Sequence, residues 1–284
     1  MNSRRRTLYL LAAISTMTLG CVVAERRSDT ITRTWPAGSI KRIDIYGVDG
    51  NVDVAAGTSN EITLVAHVRY RGIEPQPNRE NKGYFETSVD GDDLVIGNQH
   101  GVHSRGSWFF FSSRDVQVDY ELRAPSTIDL NVKTVNGRIA TRGTNGEIEA
   151  TTVNGAVDVE TAGSKEVALK TVNGRVQARF LTDFTGARFK TVNGSVVAVL
   201  PPTASFACDL SQINGDFEAN FPLSIHSHPG SRRVSGEVNG GRHDLHIVTV
   251  NGDIRLENAP GTKIIAPAAP TAPNPPPVPN SDTE

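Results

Sequence analysis

The sequence predicts an all-β protein whose main body is a parallel β-solenoid. Three observations carry that reading: a Val-Asn-Gly tripeptide that returns about every twenty residues, alternation of apolar and polar residues after each return, and a composition with 26 glycines but only 6% aromatics. A steady period of this length marks stacked structural repeats. Alternation with period two marks a strand with one buried face. The composition suits a turn-rich β chain better than a helical one.

The 284-residue chain starts MNSRRRTLYLLAAISTMTLGC, with Arg4, Arg5 and Arg6 ahead of an apolar run from Leu8 to about Leu19. This is the pattern of an export signal over residues 1–24, and the run is too short for a comfortable membrane span. Two processing sites compete. Thr18-Leu19-Gly20-Cys21 resembles a bacterial lipobox that would lipidate Cys21 and anchor the chain to a membrane, although that pattern wants Leu where Thr18 stands and a small residue where Leu19 stands. Val22-Val23-Ala24 instead fits cleavage by ordinary signal peptidase before Glu25. Ser3-Arg4-Arg5 hints at twin-arginine export, but Thr7 stands where that signal prefers Phe.

Residues 30–128 read as an N-terminal β-rich segment that caps one end of the solenoid. Ile43, Ile45, Val52 and Val54 alternate with polar residues, EITLVAHVRY continues as a strand, and YFETSVDGDDLVIG and RDVQVDYELRAP add more. Asp49-Gly50 and Asp90-Gly91 read as hairpin turns.

Residues 129–258 carry the repeat. Asn-Gly pairs fall at Asn136, Asn154, Asn173, Asn193, Asn214, Asn239 and Asn251, spaced by 18, 19, 20, 21, 25 and 12 residues, with an extra pair at Asn145. Three and five residues past the Asn come Ile139 and Thr141, Val157 and Val159, Val176 and Ala178, Val196 and Ala198, Phe217 and Ala219, and Ile254 and Leu256. Asn and Gly both tolerate φ > 0, so the tripeptide predicts one corner per coil. The Asn amides are expected to form an internal ladder between coils about 4.8 Å apart, with Thr134, Thr152, Thr171 and Thr191 as a parallel hydroxyl ladder. If Thr and Asn both face inward, Val135, Val153, Val172 and Val192 form an outward apolar stripe, which either the N-terminal segment covers, the corner rotates inside, or a partner contacts.

Residues 259–284 are dominated by Pro and Ala, a composition that cannot bury enough surface to fold and reads as a disordered tail. With Cys21 lipidated or removed, Cys208 has no intramolecular partner, and its setting in SFACDL predicts a buried apolar thiol.

Taken together, the exported start, the strand pair IDIYGVDGNVDV, the junction LRAPSTIDLNVKTVNGRI and the repeated T-V-N-G units resemble the bacterial DUF4097 group, whose members are labelled candidate adhesins. The resemblance covers roughly residues 36–258. It implies a single-stranded right-handed β-helix in the cell envelope, and it offers no catalytic motif to carry over. The adhesin label is itself an inference from that fold.

Chemistry-bearing motifs are few. The chain has no G-x-S-x-G, no phosphate-binding glycine loop followed by Lys-Ser/Thr, no H-E-x-x-H and no paired C-x-x-C. With 29 basic and 31 acidic residues, no strong field for nucleic acid is expected. Carboxylate pairs that a polysaccharide-active β-helix enzyme would need are Asp158 with Glu160 and Asp216 with Glu218, and the wet side of a strand explains both. His226 and His228, then His243 and His246 around Asp244, evoke a zinc site, but no Cys joins them and surface loops explain them; no metal or cofactor is expected. Asp90, Asp92 and Asp93 lack the later ligands of a calcium loop. Lys133, Lys170 and Lys190 recur at one position and stack as a basic strip, near Arg138 and Arg175, that would either meet an acidic polymer or keep neighbouring molecules off the surface. Trp108, Phe109, Phe110 and Phe111 break the alternation, as an insertion packed on the solenoid or as an aromatic contact tip.

The functional expectation is a non-enzymatic, exported cell-envelope solenoid that binds a partner, glycan or surface. A polysaccharide-active enzyme and a periplasm-facing scaffold or stress-response component are the alternatives.

Overall fold

After each corner, alternate side chains enter the core: Val157, Val159, Val176, Ala178, Val196 and Ala198 are all 3% exposed or less. Removing one such valine from water contributes about 1.5–3 kcal/mol. The intervening Asp158, Gln177 and Val197 face outward in register with one another. The computed structural model describes residues 26–71, 84–97, 116–221, 223, 226–227 and 233–259.

Within them, one short 3-10 turn (Ala37–Ser39) accompanies the strands. The N-terminal set is β1 (Arg26–Pro36), β2 (Arg42–Tyr46), β3 (Val52–Gly57), β4 (Glu61–Arg71), β5 (Glu86–Asp90), β6 (Asp93–Gly97) and β7 (Val116–Pro125). Next come β8 (Asp129–Lys133), β9 (Ile139–Thr144), β10 (Ile148–Thr151), β11 (Val157–Thr161), β12 (Val167–Lys170), β13 (Val176–Phe180), β14 (Ala187–Lys190) and β15 (Val196–Leu200). The last are β16 (Phe206–Asn214), β17 (Phe217–Ala219), β18 (His226–Ser227), β19 (Arg233–Val238), β20 (His243–Asn251) and β21 (Ile254–Asn258).

These strands make two large, mostly parallel sheets of an all-β, solenoid-like fold. One runs β1-β4-β7-β3-β9-β11-β13-β15-β21-β17 and the other β18-β19-β16-β20-β14-β12-β10-β8-β2-β6-β5. Each coil contributes one strand to each sheet, and a corner joins them: β8 to β9, β10 to β11, β12 to β13, β14 to β15.

Order in space departs from order in the chain at both ends. The coil β20–β21 inserts between β14–β15 and β16–β17, although β16–β17 comes first in sequence. The spacings of 25 and 12 between the late Asn-Gly pairs reflect this rearrangement. Asn239 is no corner; it sits at φ 51 between β19 and β20 and donates its amide to the Ala204 carbonyl at 2.9 Å.

At the other end, β2–β3 already forms a coil in register with β8–β9. Asp49-Gly50, expected as a hairpin turn, is the corner of that coil and bridges to Asn136. The reason is that β3 finds parallel partners in β7 and β9, so the chain gains ladder bonds on both sides by continuing round instead of folding back. Strands β1, β4 and β5 add antiparallel edges, and β6 and β7 lie outside β2 and β3.

Aromatic side chains pair edge-on within the core. Phe184 meets Phe180 edge-on at 5.0 Å and Phe206 at 5.8 Å, and Phe206 meets Phe221 at 5.5 Å. Phe85 packs edge-on against Tyr120 at 5.6 Å, and burial holds the Tyr120 phenol well above its ordinary range.

Candidate functional site

The feature that repeats most faithfully is the corner, and its side chains face solvent. Asn154 donates its side-chain amide to Asn136 Oδ1 at 2.8 Å, Asn173 to Asn154 at 2.8 Å, and Asn193 to Asn173 at 2.9 Å. The column continues through Asn251, which donates to Asn193, and Asn214, which donates to Asn251, both at 2.8 Å. At its other end Asn136 donates to Asp49 Oδ1 at 2.7 Å. Every amide therefore points the same way, toward a carboxylate.

Two expectations about this corner need correction. The ladder is on the surface, not internal: Asn136, Asn154, Asn173, Asn193, Asn214 and Asn251 are all exposed. Thr134, Thr152, Thr171, Thr191 and Thr249 are the inward members, each at most 1% exposed. The corner interrupts the strand's alternation, so Val and Asn both leave the core after Thr enters it. Buried Thr hydroxyls need acceptors. Thr152, Thr171 and Thr191 donate to the Gly137, Gly155 and Gly174 carbonyls of the preceding coil at 3.0, 3.0 and 3.1 Å.

The second correction concerns glycine. Gly137, Gly155, Gly174 and Gly194 are not in the left-handed region; only Gly50, Gly215 and Gly252 among the stacked corners have positive φ. What most of these positions demand is room. A Cβ on Gly137, Gly155, Gly174 or Gly194 would stand about 2 Å from the carbonyl oxygen of the Gly in the coil below. Backbone bonds close the stack: Asn154 N–H donates to Val135 O at 2.7 Å and Gly155 N–H to Asn173 O at 3.0 Å.

Beside the Asn column, Val135, Val153, Val172 and Val192 are half-buried, so the corner does not turn the apolar stripe fully inside. The N-terminal strands extend the sheets at their ends. Lys170 and Lys190 pair directly in register, and Thr151 separates them from Lys133. Lys170 and Lys190 are exposed, whereas Lys133 is half-buried with its Nζ 4.0 Å from Glu149 Oε1. Arg138 and Arg175 lie on the sheet side of the corner and hold Asp158 between them, at 2.7 and 3.2 Å.

The remaining candidates separate. Glu160 shares a face with Asp158 but not its ion pairs. Glu218 pairs with Arg255 at 3.0 Å. His246 lies 3.4 Å from Asp209, which Arg233 grips through both its Nε, at 2.6 Å, and its Nη2. The guanidinium holds the Asp209 carboxyl below the usual carboxylate range. His243 packs edge-on against Phe184 at 6.4 Å. Asp92 pairs with Lys41 at 2.8 Å. No group of three or more His, Cys, Asp or Glu among the described residues is arranged to hold a metal ion. Cys21, His228, Trp108, Phe109, Phe110 and Phe111 lie outside the described residues.

Sequence reasoning missed Asp49 as the terminal acceptor of the column. The signal was present in Val48-Asp49-Gly50, the repeat tripeptide with Asp for Asn.

Among solved structures, similar folds include a candidate cell adhesion protein from Clostridium sporogenes, 12% identical with a TM-score of 0.44 over 82% of this chain and 100% of that one. A candidate adhesin from Bacteroides fragilis is also 12% identical, with a TM-score of 0.40 over 80% and 97%. A candidate lipid binding protein from Parabacteroides distasonis is 10% identical, with a TM-score of 0.25 over 81% and 94%. No curated protein matches the chain. The family model described as Toastrack DUF4097 matches residues 10–257, and the chain belongs to that family.

Proposed function

We propose that this is a non-enzymatic cell-envelope protein whose solenoid presents a ruled surface to a repetitive partner, in the manner of an adhesin or surface-polymer binder. The observation that carries the reading is the solvent-facing column from Asp49 through Asn136, Asn154, Asn173, Asn193 and Asn251 to Asn214. One coil repeats the next at about 4.8 Å, so a partner with its own short repeat meets the same groups several times. Repeated weak contacts on one rigid body gain from effective concentration.

Several finer features belong to the same reading. The solenoid is a single-stranded right-handed β-helix with the N-terminal strands closing one end. Residues 1–24 direct export, and Cys21 is the candidate lipid anchor. Lys133, Lys170 and Lys190, with Trp108, Phe109, Phe110 and Phe111, are further candidate contacts.

Protease shaving of intact cells, with a tag placed just before the Pro-rich tail and a lysed-cell control, tests the reading. Loss of the tag from intact cells is the expected result. A tag that survives until lysis overturns surface binding and redirects the search to periplasmic partners.

A further inference from the structure

The outer face of the first sheet holds a recess that the corner does not explain. It is an open groove of about 210 Å³, and its charged walls are Arg138, Arg142, Arg175 and Arg179 with Asp158 and Glu160. Four guanidiniums face two carboxylates, which leaves the recess positive on a chain whose overall charge is −2.

The two halves of this cluster differ. Asp158, on β11, accepts from Arg138 on the preceding corner and Arg175 on the following one, so both of its oxygens are occupied. Two residues along the strand, Glu160 is in register with Arg179, yet no ion pair within 4 Å joins Glu160 to Arg179 or to Arg142. Those two arginines are the uncompensated cations of the groove.

Backbone geometry opens the space. The β9–β11 register shifts between Val159 and Thr161, the one such shift among the described parallel pairings, and β9 spends Arg142 and Gly143 where β11 has Glu160 alone. Gly143 sits at φ 69, which a side chain would resist. A bulge of this kind bends the strand and re-aims the neighbouring side chain, here Arg142.

We propose that this recess is an anion-binding subsite for an acidic polysaccharide, with Arg142 and Arg179 contacting the ligand and Arg138 and Arg175 fixed by Asp158 at its wall. The inference deepens the surface-binding reading and rests on it. Guanidinium forks recognise carboxylate, sulfate and phosphate oxygens alike, so charge alone does not choose the source. Shape favours a sugar chain: a recess sunk in a sheet face admits a polymer strand, whereas a planar bilayer meets only its rim.

The test uses the full chain and measures binding to immobilised dextran sulfate, neutral dextran and phosphatidylglycerol vesicles. Dextran sulfate binding is expected in the native protein, with release at about 0.5 M salt, where screening is strong. The double variant Arg142→Gln/Arg179→Gln should weaken it by about tenfold or more, the size of one lost charge-assisted contact. The charge-matched control Lys41→Gln/Arg188→Gln, whose cations pair with Asp92 and Glu166 outside the groove, should change it by less than about threefold. Melting midpoints within about 2 °C of the native value show that the variants fold. The proposal is overturned if the arginine variant binds dextran sulfate like the native protein, if neutral dextran binds equally, or if vesicles are the ligand that the arginine variant loses. Location is read independently by shaving. A surface-exposed protein that ignores dextran sulfate removes this subsite and leaves the broader reading standing.

Discussion

Gly174 lies directly over the carbonyl oxygen of Gly155, so closely that a Cβ on Gly174 would stand 1.9 Å from it. The obstacle is backbone, which cannot swing aside as a flexible side chain would. Gly174→Ala is therefore expected to cost about 3 kcal/mol or more, by forcing two coils apart. Asn173→Ala, one residue earlier, removes two side-chain hydrogen bonds at an exposed site where water replaces them, and should cost about 1 kcal/mol. Urea midpoints of the two variants check the ordering. Equal costs would mean that the corner is held by its amides and not by its close backbone stack.

Two buried threonines should respond oppositely to the same change. Thr171 Oγ1 donates to the Gly155 carbonyl at 3.0 Å, and Thr171→Val leaves that carbonyl short of a donor, an expected loss of about 1–2 kcal/mol. Thr141 is equally buried, but its Oγ1 has no partner. Thr141→Val exchanges an unsatisfied hydroxyl for a methyl of similar volume and should be neutral or stabilising. A stability loss at Thr141 as large as that at Thr171 would contradict the assignment.

Much of this fold is legible in the sequence because its core is written in period two. Val157 and Val159, or Val176 and Ala178, declare their buried face without help from the rest of the chain. The corner is less legible, since alternation fails there: Thr171 turns in, then Val172 and Asn173 both turn out, and no local rule announces the break. Asp49-Gly50 fits a hairpin equally well until β7 and β9 are known to flank β3. The exchange of order between β16–β17 and β20–β21 is a choice of long-range partners, hinted at only by the irregular spacing of Asn214, Asn239 and Asn251. The groove is least legible of all. Arg142 and Arg179 are 37 residues apart in sequence and come together because one register shift lies between their coils.

Acid should weaken the C-terminal edge through Asp209. Arg233, first by hydrogen bonding, lowers the Asp209 pKa in the folded state, so folding favours the ionised form. That contribution is fully present above the unfolded carboxylate value, about 3.9, and is lost as pH falls through the lower folded value. Asp209→Asn should lower stability at pH 7 and flatten the fall in melting midpoint on acidification, relative to the native protein. Parallel curves for the two proteins below about pH 4 would rule out this linkage.

Cys208 offers a reporter of opening at the end where chain order and spatial order part. It lies on β16 between β20 and β19, is 4% exposed, and makes no disulfide. Burial pushes its thiol pKa up, which disfavours the reactive thiolate as well as shielding the sulfur. In a Cys21→Ser background, Ellman's reagent should therefore label the native protein at least about 100-fold more slowly than the urea-unfolded chain. Because only the two-residue β18 lies outside the six-residue antiparallel β19, detachment of this short pair is the smallest motion that uncovers Cys208. Replacing Val238, which pairs with Phe206 and is 2% exposed, by Ala should speed labelling at low urea while leaving the global midpoint less affected. If labelling tracks only global unfolding in both proteins, β19 is locked into the cooperative core and the end opens with the whole solenoid.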